Sequence, residues 1–235
     1  MSLKVKIFSD GANLASILEL SKNPLIRGFT TNPSLIKKAG ISDYLPFCKE
    51  VLSHVKDKPI SFEVFADDFQ EMKRQAMLLT NLADNVYVKI PITNCEGEAS
   101  TPLIQELSHH GVKLNVTAVL TLKQVWEGCQ ALREGAPSVI SIFAGRIADT
   151  GHDPEPLMRA AIQICRSTGP RIEVLWASCR EVYNIAQANN VGCDIITVPP
   201  DLIEKVPLFG KDLNLLSLET VRMFKKDADA AGFTL

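Results

Sequence analysis

The stretch ISFEVFADDFQEMKRQAMLLTNLADNVYVKIPIT, residues 60–93, decides the fold. Ile60–Phe65 and Val86–Ile90 are short runs of apolar, largely β-branched or aromatic residues, the composition of buried strands. Asp68–Leu82 between them carries the apolar spacing of an amphipathic helix. A strand, a helix and a second strand joined by a few polar residues form a unit whose two strands lie parallel.

Read outward from this unit, the same alternation covers the chain. Further strands are predicted at Val5–Ser9, Gly28–Thr30, Val112–Thr117, Val139–Phe143, Ile172–Trp176 and Asp194–Val198. Helices are predicted at Asn13–Leu20, Pro33–Val55 with a break near Gly40, Glu98–His110, Leu122–Glu134, Pro154–Ser167, Arg180–Asn189 and Pro200–Lys205. Start signals accompany several: Asn32 before Pro33, Thr121 with Gln124, Asp153 before Pro154, and Ser178 with Glu181 as a capping box. Eight strand–helix units close naturally into a (β/α)8 TIM barrel. An open doubly wound sheet is the competing layout, but no GxGxxG follows any strand. No linker or composition break divides residues 1–235, so one barrel domain is expected, with an additional C-terminal helix at Leu213–Ala230 in a tail spanning 213–235.

Composition narrows the partners. Hydrophobic residues make up 46% of the 235 and charged ones 22%, which excludes a disordered chain. Against 25 basic residues stand 27 acidic ones, so the net charge of -2 gives no footprint for nucleic acid or a membrane surface. A small anionic metabolite remains open. The six cysteines, at 48, 95, 129, 165, 179 and 193, form no CxxC pair or disulfide framework and suit a reducing cytosol. The N-terminal residues lack the apolar block of a signal peptide, and no run approaches membrane-spanning length. A soluble, cytoplasmic protein is expected. The four histidines show no metal-ligand spacing, and no metal is expected.

Lys89 is the anomaly. It sits inside the apolar run NVYVKIPIT, Asn85–Thr93, where an ammonium must find an anionic partner or lose its proton. In a (β/α)8 barrel the chemistry lies at the C-terminal ends of the strands. Strand one ends at Asp10, strand two in Thr30, Thr31 and Asn32, and strand three carries Glu63. Strand five has Asn115 and Thr117 on one face of the pleat; strand six runs into Phe143 and Arg146, strand seven into Ser178 and Arg180. Each residue also has a plain structural reading. Asn32 and Ser178 can simply cap helices, Glu63 and Lys89 can be a buried ion pair, Asp10 with Gly11 can be a turn, and the arginines can be surface residues. Tyr87 shares the inward face with Lys89 and reads as core. It is the convergence of polar ends on seven strands that points to a site.

These residues lie in motifs that resemble the transaldolases, and among them the short group that includes the fructose-6-phosphate aldolases. The motifs are Asp10, GFTTNPSLI (28–36), EVFA (63–66), VKIPIT (88–93), LNVTAVLT (114–121), SIFAGRIADTG (141–151) and WASCREV (176–182). The resemblance implies that Lys89 forms a Schiff base with a ketose carbonyl, which needs an amine whose pKa is lowered from about 10.4 by desolvation. It implies that Glu63 and Thr117 hold a proton-carrying water and that Asp10 takes the proton of the C4 hydroxyl. Asn32 and Asn115, with Thr30 nearby, are expected to hold the dihydroxyacetone unit. Arg146, Arg180 and Ser178 are expected to bind the phosphate, Ser178 through a helix start. The substrates are then sugar phosphates, and no cofactor is needed.

Glu63 and Phe143 stand where fructose-6-phosphate aldolases have glutamine and tyrosine, which favours transfer over cleavage to free dihydroxyacetone. Cys179 and Trp176 depart from the residues common in the family and could reshape the pocket rim. A non-catalytic sugar-phosphate-binding barrel, or an isomerase without a covalent intermediate, is the alternative from another class. The resemblance also implies a homo-oligomer, a pentamer or decamer, in which the tail helix reaches a neighbouring subunit.

Overall fold

A computed structural model describes residues 3–169 and 171–232; the last three residues of the expected tail, 233–235, lie outside the described residues. Eight strands pair in parallel in chain order: β1 (Lys6–Asp10), β2 (Ile26–Thr30), β3 (Ile60–Glu63), β4 (Val86–Pro91), β5 (Leu114–Val119), β6 (Ser138–Ile142), β7 (Ile172–Trp176) and β8 (Ile195–Val198). β8 pairs with β1, so the sheet is a closed barrel and the open-sheet alternative falls. Helix α1 (Leu14–Ser21) follows β1, and α2 (Pro33–Lys38) and α3 (Tyr44–His54) follow β2 on either side of the expected break. Next come α4 (Phe69–Thr80), α5 (Thr101–His109), α6 (Leu122–Leu132), α7 (Ala144–Asp149), α8 (Glu155–Thr168), α9 (Tyr183–Val191) and α10 (Pro200–Ile203). A C-terminal helix, α11 (Leu213–Ala231), stands beyond the eight units. The fold is a (β/α)8 TIM barrel with an additional C-terminal helix.

Strand alternation explains where the core sits. Phe62 on β3, Val86, Val88 and Ile90 on β4, Leu114 and Val116 on β5, and Val174 and Trp176 on β7 point outward into the layer between sheet and helices. Their neighbours point inward. Phe8, Val139, Leu175 and Ile195 fill the middle of the barrel, with Tyr87 packed against them. Gly28 makes this filling possible, because a Cβ there would lie 2.5 Å from the ring of Phe8. Above that plug the inward residues turn polar, and this upper layer holds the site.

The start signals divide. Asn32 accepts from the Leu35 amide at 3.0 Å, and Thr121 with Gln124 forms a complete capping box. Asp153 accepts from the Glu155 amide at 3.0 Å. Ser178 with Glu181 does not form the expected box: α9 begins at Tyr183, and the backbone of Ser178 is left-handed, with φ 61°. Asn184 instead accepts from the amides of Arg180 and Glu181, at 2.8 and 3.2 Å. A helix-start contribution by Ser178 to phosphate binding is therefore lost. The short helix α7 has no counterpart in the sequence reading.

Candidate active site

At the C-terminal end of the barrel a cavity of about 510 Å³ is lined by Asp10, Thr30, Asn32, Glu63, Lys89, Thr117, Phe143, Arg146, Ser178 and Arg180. A second cavity of about 510 Å³ opens at the other end, among Lys6, Arg27, Lys58, Tyr87 and Glu173. Size does not separate the two, but side-chain commitments do. In the lower cavity Lys6 is paired with Glu173, and Lys58 donates to the carbonyls of Ser21 and Asn23 at 2.6 and 3.0 Å. In the upper one a nucleophile, carboxylates and hydroxyls converge.

Lys89 stands at the centre of the upper cavity and is only 6% exposed. β4 and β3 are in register, with Lys89 opposite Glu63, so alternation sends both side chains inward side by side. Nζ lies 2.8 Å from Glu63 Oε2 and donates to the carbonyl of Thr31 at 2.8 Å. The buried lysine thus has its anionic partner. Glu63 is itself held from outside the barrel, since its amide donates to the phenol of Tyr44 on α3 at 3.0 Å. Burial pushes that phenol well above its ordinary value, so it stays neutral.

Asp10, at the end of β1, accepts from Thr30 Oγ1 at 2.7 Å. Its carboxyl is raised above the usual range by burial, against the lowering charge of Lys89 and the hydrogen bond from Thr30. A carboxylate so placed is a better base than one in water. Thr117, on β5, is buried and its hydroxyl makes no hydrogen bond within the described residues. Ala118 beside it takes φ 60° where the pairing of β5 with β6 shifts register.

Asn115 does not line the cavity. Its amide lies beneath the floor, donating to Ser61 Oγ at 3.0 Å and accepting from Ser141 Oγ at 2.6 Å. Among the described residues one amide hydrogen and one carbonyl lone pair remain uncommitted there.

The cationic rim lies across the cavity. The Arg146 guanidinium sits 5.5 Å from the ring centre of Phe143. Arg180 forks onto Asp149 at 3.1 and 2.5 Å and holds that carboxyl below its usual range. Gly145 lets the two rim segments touch: its amide donates to the Ala177 carbonyl at 3.2 Å, and a Cβ on it would overlap the Ser178 carbonyl. Of the two departures, Cys179 does line the cavity, whereas Trp176 points away into the sheet–helix layer and leaves the rim alone.

Sequence reasoning missed Tyr44, Ser141 and Thr197. Thr197, on β8, lines the cavity and lies 2.5 Å from Thr30 Oγ1. Alternation from the inward Ile195 would have placed it there. Tyr44 offers no such signal, since it reaches Glu63 only through the fold.

A family model described as Transaldolase/Fructose-6-phosphate aldolase matches residues 7–235 of the chain. A "Probable transaldolase" of Methanococcus maripaludis is 39% identical over 202 residues, 86% of this chain and 89% of the relative. One of Methanococcus vannielii is 37% identical over 226 residues, covering 96% and 98%. A crystal structure described as "a putative phosphonomutase from Burkholderia cenocepacia J2315" superposes on 95% of this chain and 94% of its own, with a TM-score of 0.58 at 12% identity, a likeness of fold alone.

Proposed function

The chain belongs to the transaldolase/fructose-6-phosphate aldolase family and is an enzyme of transaldolase type, and from that premise we propose that it carries a dihydroxyacetone unit between sugar phosphates. The donor is a ketose phosphate, sedoheptulose 7-phosphate or fructose 6-phosphate. The acceptor is an aldose phosphate, glyceraldehyde 3-phosphate or erythrose 4-phosphate, which places the reaction in the pentose phosphate pathway of the cytoplasm. The observation that carries this reading is Lys89: a primary amine 6% exposed, 2.8 Å from a carboxylate, in a cavity that also holds Asp10 and two arginines.

The proposed steps follow the geometry. Glu63 takes a proton from the Lys89 ammonium, and the freed amine attacks C2 of the ketose. The carbinolamine loses water through a water molecule held by Glu63 and Thr117, leaving a protonated imine. Asp10 removes the C4 hydroxyl proton; the C4–O electrons form a carbonyl, the C3–C4 bond breaks, and its electron pair moves into the imine to give an enamine. The aldose phosphate leaves. The acceptor aldehyde then takes C3 of the enamine, its oxygen recovers the proton from Asp10, and water releases the new ketose. Asn32 holds the hydroxyls of the three-carbon unit beside Thr30, while Asn115 braces the floor beneath it through Ser61 and Ser141. Arg146 and Arg180 take the phosphate with the Ser178 hydroxyl, Arg180 by exchanging Asp149 for the phosphate.

Phe143 supports transfer over release, because a phenyl ring offers no proton to an enamine waiting for its acceptor. The apolar side chains on α11, Leu213 at 77% and Phe224 at 63% exposure among them, support a homo-oligomer in which the tail covers a neighbouring barrel. A pentamer or decamer is the form proposed, and residues 1–235 are read as one barrel domain with that tail.

Borohydride reduction during incubation with fructose 6-phosphate tests the central step. A three-carbon mass on Lys89 is expected. An unmodified Lys89 would leave the ion pair with Glu63 a structural feature and favour the non-catalytic sugar-phosphate-binding barrel.

A further inference from the structure

We propose that Thr197 is a positioning residue for the base: its hydroxyl donates to Thr30 and thereby fixes Thr30 as the donor to Asp10. The inference rests on the reading of Asp10 as the group that deprotonates the C4 hydroxyl. Thr30 Oγ1 lies 2.7 Å from Asp10 Oδ1 and 2.5 Å from Thr197 Oγ1. A threonine hydroxyl has one proton and two lone pairs, and an ionised carboxylate has lone pairs only. With Asp10 ionised, the proton between Asp10 and Thr30 must be that of Thr30. The proton between the two threonines must then come from Thr197.

Direction matters because both hydroxyls are buried, with Thr30 and Thr197 3% and 4% exposed. Without the Thr197 donor, the Thr30 hydroxyl keeps its lone pairs unfilled and loses the contact that aligns its rotor on Asp10. The strands make this chain possible. Thr30 stands opposite Asp10 in the β1–β2 register, and Thr197 reaches the same layer from β8 on the other side of β1.

Asp10 is faced by Lys89 from β4, by Glu63 from β3 and by Cys179 beyond β7. Lys89 favours the ionised carboxylate, while burial and Glu63 oppose it. From the β2 and β8 side the balance is set by the hydroxyl pair, whose hydrogen bond lowers the value. Removing the hydroxyl of Thr197 weakens that bond, so the base protonates at higher pH.

Thr197→Val keeps the shape and removes the donor, and Thr197→Ser keeps the donor. Two readouts separate the possibilities: the pH profile of kcat/KM for fructose 6-phosphate, and the rate of borohydride trapping at Lys89 with dihydroxyacetone, which has no C4 hydroxyl. For Thr197→Val we expect trapping at the wild-type rate, with the acid limb of the profile moved up by roughly 0.3–0.5 pH unit, because the bond from Thr30 to Asp10 stays and loses only the strengthening that a second hydrogen bond lends it. Thr197→Ser should restore the limb. Thr197→Ala gives the same reading where the valine does not fold. Superimposed profiles for Thr197→Val and wild type, with trapping intact, overturn the role of Thr197 alone. Absence of trapping in the wild-type chain overturns the reading of Lys89, and this inference with it.

Discussion

An alanine at position 145 would put a methyl carbon 1.6 Å from the carbonyl oxygen of Ser178 and 2.7 Å from its carbonyl carbon. Non-bonded carbon and oxygen rest at about 3.3 Å or more, so the two segments must part by roughly 1.7 Å. One segment carries Arg146 in the next position, and the other carries Ser178 and Arg180. A displacement of about 1 Å costs on the order of 100-fold where groups must meet a substrate together, and one charge-assisted hydrogen bond lost is worth about 1.5–3 kcal/mol. Gly145→Ala should therefore lower kcat/KM for fructose 6-phosphate about 100-fold, mostly through KM, and cost about 1–3 kcal/mol of stability through overpacking. The assay pairs steady-state kinetics on the phosphorylated ketose with borohydride trapping of unphosphorylated dihydroxyacetone. Because the clash lies at the rim and Lys89 on the far strand β4, trapping should change less than about threefold. A folded variant with wild-type kcat/KM, or an equal loss in both assays, would refute the account of the rim.

Phe143→Tyr should add a proton donor beside the enamine and raise the release of free dihydroxyacetone. Glyceraldehyde 3-phosphate released from fructose 6-phosphate with and without erythrose 4-phosphate reads this directly, and unchanged dependence on the acceptor would count against it. A chain cut before Leu213 should show a smaller assembly by light scattering, because α11 buries none of its residues on its own barrel. Assembly of unchanged size would remove the tail from the subunit contact.

Much of the fold and the site could be read from periodicity, and the misses have identifiable physical causes. Period-two alternation places Lys89, Glu63 and Thr117 on inward faces because a parallel strand in a closed barrel has one face to the helices and one to the lumen. The eighth strand obeys the same rule, yet Thr197 looks like any threonine in an apolar strand until Thr30 is seen beside it. Ser178 followed by Glu181 has the letters of a capping box, but a capping box requires an extended backbone at the serine. Here the loop closes instead through Asn184 and the approach of Gly145, contacts the local sequence does not announce. Helix α7 spans six residues, Ala144–Asp149, too few to establish a period of 3.6. Asn115 does face inward as alternation requires, and only the hydroxyls of Ser61 and Ser141 place its amide below the floor.

Backbone strain tells the same story in another way. Among the described residues three non-glycine positions have positive φ: Ala118, Glu134 and Ser178. Such a conformation costs an L-residue roughly 1–2 kcal/mol, and it persists where surrounding structure over-determines it. Glu134 sits after α6, where a helix end commonly turns left-handed. Ala118 and Ser178 line the cavity, one beside Thr117 and the other two residues before Arg180. At Ala118 the β5–β6 register shifts, and at Ser178 the chain leaves β7 against Gly145, so each strain falls where the chain turns out of the barrel wall at the cavity. The barrel wall is rigid enough to hold both distortions, since its strands are hydrogen-bonded on each side and backed by the apolar layer under the helices. A barrel built for stability alone would relax them; here they stand at the mouth, where the chain leaves the strand that carries Thr117 and enters the loop that carries Arg180.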